Sequence, residues 1–507
     1  MKKKKKKSQK SGRSKVRIRI TPNRTSIKTY DATPKRFVSK IDPLNLEEQK
    51  QRFLKYGLVP RFELRGSPDR IQDMISAKRG QIRFQYLKDA KRILDHVYEK
   101  YGTGEDFLYK SFGPRISASQ ATPTLSEYLK LNMVDGMLSI GWTKDLSCSG
   151  RMSMTGPNTK LNKPEARRFS LWLKDSVDNA YLREGGIVCL ADHEIGTHFF
   201  RSLNDGLQPW YSNRDRFGLR GVKSLQLLET EEGLATVNTH IQAKVPLLFM
   251  PALVYYTSCK ATEMTFEELY DHLQHYVKNP EQRWKHVMRV KRGLENPNDL
   301  GGYGKDQCYF AGAVEVLRNI ENIDFQLLYA GKLCLDEVSR VKRIARMECI
   351  KLPHFLQNIE QYKKRLRYMA QINGLIPKED SSLRSPRSRS RKCRKASSSS
   401  MSSASTTSAG TNSSTHNLDS PHSLSRLPGR ITPIPPSSLP PLRPTPPKCG
   451  SPTRRLLDRR AQSKQTLLQT DISQELTEDI HISVDGHLRK NDIDNSTNVN
   501  HPAIASA

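Results

Sequence analysis

The heptapeptide Asp192-His193-Glu194-Ile195-Gly196-Thr197-His198 constrains this chain more than any other stretch, because it asks one helix to aim two imidazoles that regular geometry keeps apart. In the common metallopeptidase pattern H-E-x-x-H the histidines are four positions apart and share a helical face. Here they are five apart. At ~100° per residue, five steps turn the second ring about 140° from the first, so an unbroken α-helix cannot bring both to one metal. A single-turn π-bulge restores the common face, and Gly196 inside the interval lowers the cost of the distortion.

The flanks decide between a metal pair and two ordinary buried histidines. Gly186 to Ala191 leads in and Phe199-Phe200 follows, so the helix is apolar while its middle carries two His and a Glu. Burying those groups without partners would cost several kcal/mol, and a metal removes that cost. A catalytic zinc takes three protein ligands and keeps a fourth position open. The third is expected from the acidic cluster Glu229-Thr230-Glu231-Glu232 on a following helix, with Glu232 as the first choice, Glu231 as reserve or supporting partner, and Glu229 as the outsider. Standing alone, such an acidic trio would read as a solvated face. The pattern predicts one Zn2+ per chain on His193, His198 and Glu232, with Glu194 as the catalytic acid and base.

The rest of the chain is uneven. Residues 1–40 hold sixteen Lys or Arg against the single acid Asp31, with six lysines running from Lys2 to Lys7. Self-repulsion and scant apolar content predict a disordered polybasic tail there. Residues 377–507 contain an Arg/Ser run (384–391), a Ser/Thr-rich tract (397–414) and a Pro-rich tract (431–447), and are expected to be a second disordered tail. The metallopeptidase domain is therefore placed at 41–376.

Eight cysteines without a C-x-x-C pair suit reduced thiols and a cytoplasmic location. No apolar segment follows the basic N-terminus as a secretory signal would require. The longest apolar run, residues 245–256, is interrupted by Pro246 and Pro251 and falls short of the ~20 residues of a membrane span, so no membrane is expected. A net charge of +32 implies a polyanionic partner. Nucleic acid remains open on charge alone, but is not favoured, since no nucleic-acid-binding fold signature accompanies it.

Within 41–376, Tyr86, Leu87, Ala90, Ile93, Leu94, Val97 and Tyr101 recur at helical spacing up to Gly102. Phe266, Leu269, Leu273 and Val277 mark another helix, opened by a Thr265/Glu268 capping box. Phe355, Leu356, Ile359, Tyr362, Leu366 and Met369 mark a closing one. Residues 136–141 and 150–154 read as short strands. The fold class is α+β, helix-dominated, with a small sheet beside the metal helix.

Several separated motifs in order carry a resemblance to a known family. His193-Glu194-Ile195-Gly196-Thr197-His198, Arg201, Asn204-Asp205, Gln208-Pro209-Trp210, Phe217-Gly218-Leu219-Arg220, Thr230-Glu231-Glu232-Gly233-Leu234-Ala235, Lys291-Arg292-Gly293 and Lys305 to Tyr309 resemble the microtubule-associated tyrosine carboxypeptidases, closely over about 190–376. The spacer before the T-E-E-G segment is slightly longer here, around residues 221–229, so the motif position assigns the ligand. The resemblance implies a zincin-like zinc metallocarboxypeptidase that removes the C-terminal tyrosine of α-tubulin, with Glu232 as third ligand and the cytoskeleton as its location.

Such an enzyme must bind a free carboxylate, for which Arg201 and Arg220 are the candidates, with Lys305 and Tyr309 as contributors to substrate or oxyanion binding. The α-tubulin tail and the microtubule would be the partners, and the basic ends would raise local concentration on that acidic surface. The alternatives are a basic microtubule- or RNA-binding protein with a non-catalytic peptidase-like scaffold, and a zinc peptidase of another substrate.

Overall fold

The computed structural model describes residues 24–34, 37 and 41–377, and these form an α+β unit dominated by helices. Its sheet consists of β1 (Ile27–Thr29), β2 (Leu138–Thr143), β3 (Gly150–Thr155) and β4 (Arg168–Lys174), in the order β1-β2-β4-β3. β1 and β4 flank β2 in parallel, and β3 pairs antiparallel with β4 at the edge. Ile140 lies opposite Ile27 on one side and Leu171 on the other, so one register line of the sheet is apolar across its middle.

The strands expected at 136–141 and 150–154 exist, the first displaced by two residues toward the C-terminus. β1 and β4 were not foreseen. β1 also corrects the expected disorder within residues 1–40: it is a formed strand, and just before it Thr25 N–H donates to Asp135 at 2.8 Å and Gly136 N–H donates to the Thr25 hydroxyl at 2.7 Å. The remainder of that expectation, residues 1–23, 35, 36 and 38–40, lies outside the described residues, as does 378–507 of the expected C-terminal tail.

The helices that position the site are α1 (Leu87–Tyr101), α2 (Ala118–Leu131), α3 (Gly186–His193), α4 (Leu225–Ile241), α5 (Phe249–Lys260), α6 (Pro280–Lys291), α7 (Cys308–Arg318) and α8 (Ile359–Ile372). α1 follows the predicted stripe, with Ala90, Ile93, Leu94 and Val97 buried, and ends at Gly102. The capping box of Thr265 and Glu268 is formed, but its helix stops at His272 and gives way to a 3-10 turn. α3 packs between α2 and α4, and α4 lies along α7. Phe199, Tyr255, Phe310, Tyr329 and Leu366 belong to one continuous core around these helices. Among the described residues no helix is long and apolar enough to cross a membrane. The six described cysteines are free thiols.

Candidate metal and active site

α3 does not end at His193 but continues as a π-helical turn, Glu194–Phe199, and then as an α-helical turn, Phe200–Asp205. The five-residue spacing is accommodated by the bulge that it demanded. Neighbouring side chains fasten this turn. The Thr197 hydroxyl donates to the Asp192 carbonyl at 2.9 Å, and the Tyr329 hydroxyl donates to the Gly196 carbonyl at 3.0 Å. Asn238 on α4 donates to both the Thr197 and the Tyr329 oxygens at 2.9 Å and accepts from Tyr362 at 2.8 Å. Gly196 is required for space: a Cβ there would lie 2.6 Å from the Phe355 ring and 2.8 Å from the Tyr128 hydroxyl.

The bulge brings His193 and His198 together with Glu232 of α4, and one donor atom from each lies within 4.8 Å of the others. Tetrahedral zinc with bonds of about 2.0–2.1 Å spaces its ligands about 3.3–3.4 Å apart. The separations here are 3.3 Å between the two Nε2 atoms and 3.5 and 3.8 Å from these to the Glu232 carboxylate.

The outer faces of the imidazoles explain why their Nε2 atoms turn inward. His193 Nδ1 lies 2.9 Å from the Thr239 hydroxyl, whose own proton goes to the Ala235 carbonyl, so Nδ1–H is the donor. His198 Nδ1 lies 2.9 Å from the Glu231 carboxylate and is likewise the donor. Such outer partners fix the tautomer and orientation of metal-binding histidines. Burial, reinforced by His198, pulls His193 down to about 3. On His198 burial is outweighed by Glu232 and Glu231, which push it up to about 10. The donor set demands positive charge at its centre, and a proton on His198 meets part of that demand. These residues fit a zinc ion.

Glu231, expected as reserve or supporting partner, meets the outer face of His198 and lies outside the group formed by His193, His198 and Glu232. Burial disfavours its charge, but Arg201 and Lys332 hold it well below the usual carboxylate range. Arg201 is fully buried and donates also to the Leu328 and Leu333 carbonyls, at 3.3 and 2.7 Å. This corrects its expected role: no face of Arg201 remains for a substrate carboxylate. Arg220 pairs with Asp336 at 2.6 and 2.7 Å at the surface and is not among the residues that line the cleft beside the three donors. Glu229 pairs with Arg83.

The three donors open into a cleft of about 2310 Å³, which Glu194, Lys305 and Tyr309 also line. Glu194 accepts the Met152 N–H of edge strand β3 at 2.7 Å, and burial pushes its carboxyl up to about 7 against the pull of His198. Gly150 makes room for that carboxylate, since a Cβ there would lie 3.0 Å from it. The Tyr309 ring sits 6.4 Å from the His193 ring. Over Tyr309, at 5.5 Å, lies the guanidinium of Arg289, another residue of the cleft. Its Nε is held by Asp306 at 2.5 Å, and its two terminal nitrogens make no hydrogen bond among the described residues. Sequence reasoning missed Arg289, Lys332, Thr239, Asn238 and Tyr329. Helical periodicity around Glu232 offered a signal for Thr239, seven residues on, while the others act through contacts between distant segments.

Comparison with known proteins gives this geometry a context. Residues 177–375 match the family model described as microtubule-associated tyrosine carboxypeptidase. Microtubule-associated tyrosine carboxypeptidase 1 of Mus musculus is 30% identical over 340 residues, 66% of this chain and 68% of the relative. The Homo sapiens protein of that name is also 30% identical over 340 residues, 66% of this chain and 67% of its own length. MATCAP2 of Mus musculus is 33% identical over 353 residues, 68% of this chain, and the match spans 63% of that relative. With the gapped motif, its bulge and the T-E-E-G helix all inside the matched segment, the chain belongs to the microtubule-associated tyrosine carboxypeptidase family.

Proposed function

We propose that this chain is a zinc-dependent carboxypeptidase that removes the C-terminal tyrosine of α-tubulin. The observation that carries the reading is the convergence of His193, His198 and Glu232 beside Glu194 in an open cleft, in a chain of this family. His193, His198 and Glu232 would hold the zinc in a zincin-like arrangement. Bound there, zinc would supply Lewis acidity, lowering the pKa of water and polarising the scissile carbonyl.

The proton chemistry falls to Glu194. Its Oε2 is anchored by the Met152 N–H, while Oε1 makes no hydrogen bond among the described residues and is the atom that takes a proton from the attacking water. A carboxyl poised near neutrality suits both that step and return of the proton to the leaving amine. Arg289 replaces Arg201 and Arg220 as the cation for the substrate carboxylate, and Lys305 and Tyr309 stay beside it as substrate contacts. The names of the relatives support a microtubule partner, and so a place on the cytoskeleton in the cytoplasm. The tubulin tail is acidic, which suits a chain of charge +32.

The test is elemental analysis of the purified protein together with tyrosine release from polymerised tubulin. Wild type should carry about one zinc, and Glu194→Gln should keep it while losing at least about a hundredfold in turnover. Protein without zinc, or a variant that turns over at the wild-type rate, overturns the reading. Zinc-loaded wild type that binds microtubules without releasing tyrosine would leave the scaffold alternative.

A further inference from the structure

We propose that the substrate peptide adds to the sheet as a strand along the free edge of β3, antiparallel to it, with its penultimate residue opposite Met152 and the residue two before that opposite Met154. The proposal deepens the carboxypeptidase reading and rests on it for the position of the bond that is cut.

β3 ends the order β1-β2-β4-β3, so only one of its sides is paired, and none of its six residues is fully buried. One hydrogen bond fixes which residues face which side. Lys174 N–H donates to the Ser149 carbonyl at 3.0 Å, which makes these two a hydrogen-bonded pair of the antiparallel ladder. Every second residue repeats that direction, so Arg151, Ser153 and Thr155 bond to β4, while Gly150, Met152 and Met154 turn their N–H and C=O outward. The Met152 N–H agrees, since it reaches Glu194, outside the sheet, at 2.7 Å. Another outward group is also occupied, the Gly150 carbonyl, which accepts the Cys148 thiol at 3.1 Å. The Met152 carbonyl and both backbone groups of Met154 make no hydrogen bond among the described residues. This stretch of edge begins at Glu194 and lies on the cleft, and an edge of that kind is a template for main-chain pairing with an extended peptide.

Direction and register follow from groups already placed. Arg289, the cation assigned to the substrate carboxylate, makes its charge felt at the Cys148 thiol, which precedes β3 by two residues. The peptide's C-terminus therefore lies toward Gly150 and its upstream residues toward Thr155, which is the antiparallel sense. In an unbroken antiparallel ladder, the residue opposite Met152 gives its N–H to the Met152 carbonyl and its own carbonyl to the Met152 N–H. Glu194 holds that N–H, so the carbonyl of this residue faces Glu194 instead. A carbonyl beside the proton-transferring carboxylate is the one whose bond is cut, which makes the residue the penultimate one. Two residues upstream, N–H and C=O both meet Met154, while the residue between them turns its N–H away from β3.

Tyrosine-ended peptides methylated on one main-chain nitrogen at a time, in the first, second or third residue before the tyrosine, test this. Cleavage is measured with full-length wild type, and binding by fluorescence anisotropy to zinc-loaded Glu194→Gln, whose amide oxygen can still accept the Met152 N–H. A methyl on the first or third residue removes a donor to β3 and should cost at least about tenfold in both readouts, while one on the second should stay within about threefold of the parent peptide. On the protein, Met154→Pro deletes an N–H that faces away from β4, a position where a sheet edge tolerates proline. It should weaken the parent peptide by about tenfold with zinc content kept, and the third-residue methyl should then cost less than it does with wild type. Equal losses at all three positions, no loss at any, or a folded, zinc-loaded Met154→Pro that handles the parent peptide as wild type does, overturn the proposal. Should Met154→Pro not fold, the methylated peptides decide. Alternation in binding without tyrosine release would sink the carboxypeptidase reading and keep the strand pairing, whereas tyrosine release at one rate from all three peptides would do the reverse.

Discussion

The availability of a single guanidinium separates Arg289 from every other arginine considered for the substrate carboxylate. Arg201 is spent on Glu231 and two carbonyls, and Arg220 on Asp336, whereas Arg289 offers its terminal nitrogens to the cleft while Asp306 fixes its Nε. Charge-assisted bonds of this kind are worth about 1.5–3 kcal/mol. Arg289→Ala should therefore raise KM for a tyrosine-ended peptide by roughly ten- to a hundredfold, with zinc content kept, and Arg289→Lys should recover part of it. Amidating the peptide's C-terminus supplies the control, because wild type and Arg289→Ala should handle the amide equally if the lost partner is the carboxylate. A variant defective by the same factor on both peptides would show that Arg289 only supports the fold of Tyr309 and Asp306. His193, Glu194, His198 and Glu232 were legible in the sequence because chain spacing and the helical period bring them near one another. Arg289 was not, because its value depends on what its own neighbours leave free.

At the scale of elements, the site depends on how closely α4 approaches α7. A Cβ on Gly233 would lie 2.2 Å from the Gly312 backbone, and one on Gly312 would lie 1.8 Å from the Glu229 carbonyl, so the two helices touch backbone to backbone. Glu232 precedes one of these glycines, and Tyr309 is one turn before the other. Gly233→Ala must push the helices apart, at a cost of about 1–3 kcal/mol for overpacking. We expect a lower melting temperature and weaker zinc retention in dialysis against a chelator, while Gly221→Ala, which meets nothing within 4 Å, changes neither. Zinc retention equal to wild type in Gly233→Ala would show that the helix contact does not position Glu232. The sequence suggested α1, the capping box and α8 because their stripes are regular. It placed β2 two residues early because glycines at 136 and 141 look like strand ends, whereas the pairing with β4 extends to Thr143. β4 went unseen although Phe169, Leu171 and Leu173 alternate, and β1 was hidden by the basic charge around it.

For the whole molecule, the distribution of charge separates catalysis from attachment. Residues 1–23 carry eleven Lys or Arg and no acid, and residues 378–507 carry nineteen against eleven acids, so the stretch between retains +13 of the total +32. A chain of residues 24–377 keeps β1 and every site residue named here, and should hydrolyse a short tyrosine-ended peptide as fast as full-length protein. Its cosedimentation with microtubules should weaken, since long-range attraction scales with charge, but not vanish, because the remaining +13 is still opposed to an acidic surface. The gap between the two proteins should be widest at low salt and close as the screening length falls to about 8 Å at 0.15 M and below. Beginning instead at residue 41 removes the strand paired along Ile140 to Trp142 and the Thr25 and Thr33 contacts to Asp135 and Asp145. That shorter chain should melt several degrees lower than 24–377, whatever the salt. Equal melting of the two would show that β1 adds nothing to the sheet, and equal microtubule binding by 24–377 and the full chain at every salt concentration would put attachment entirely within the folded part.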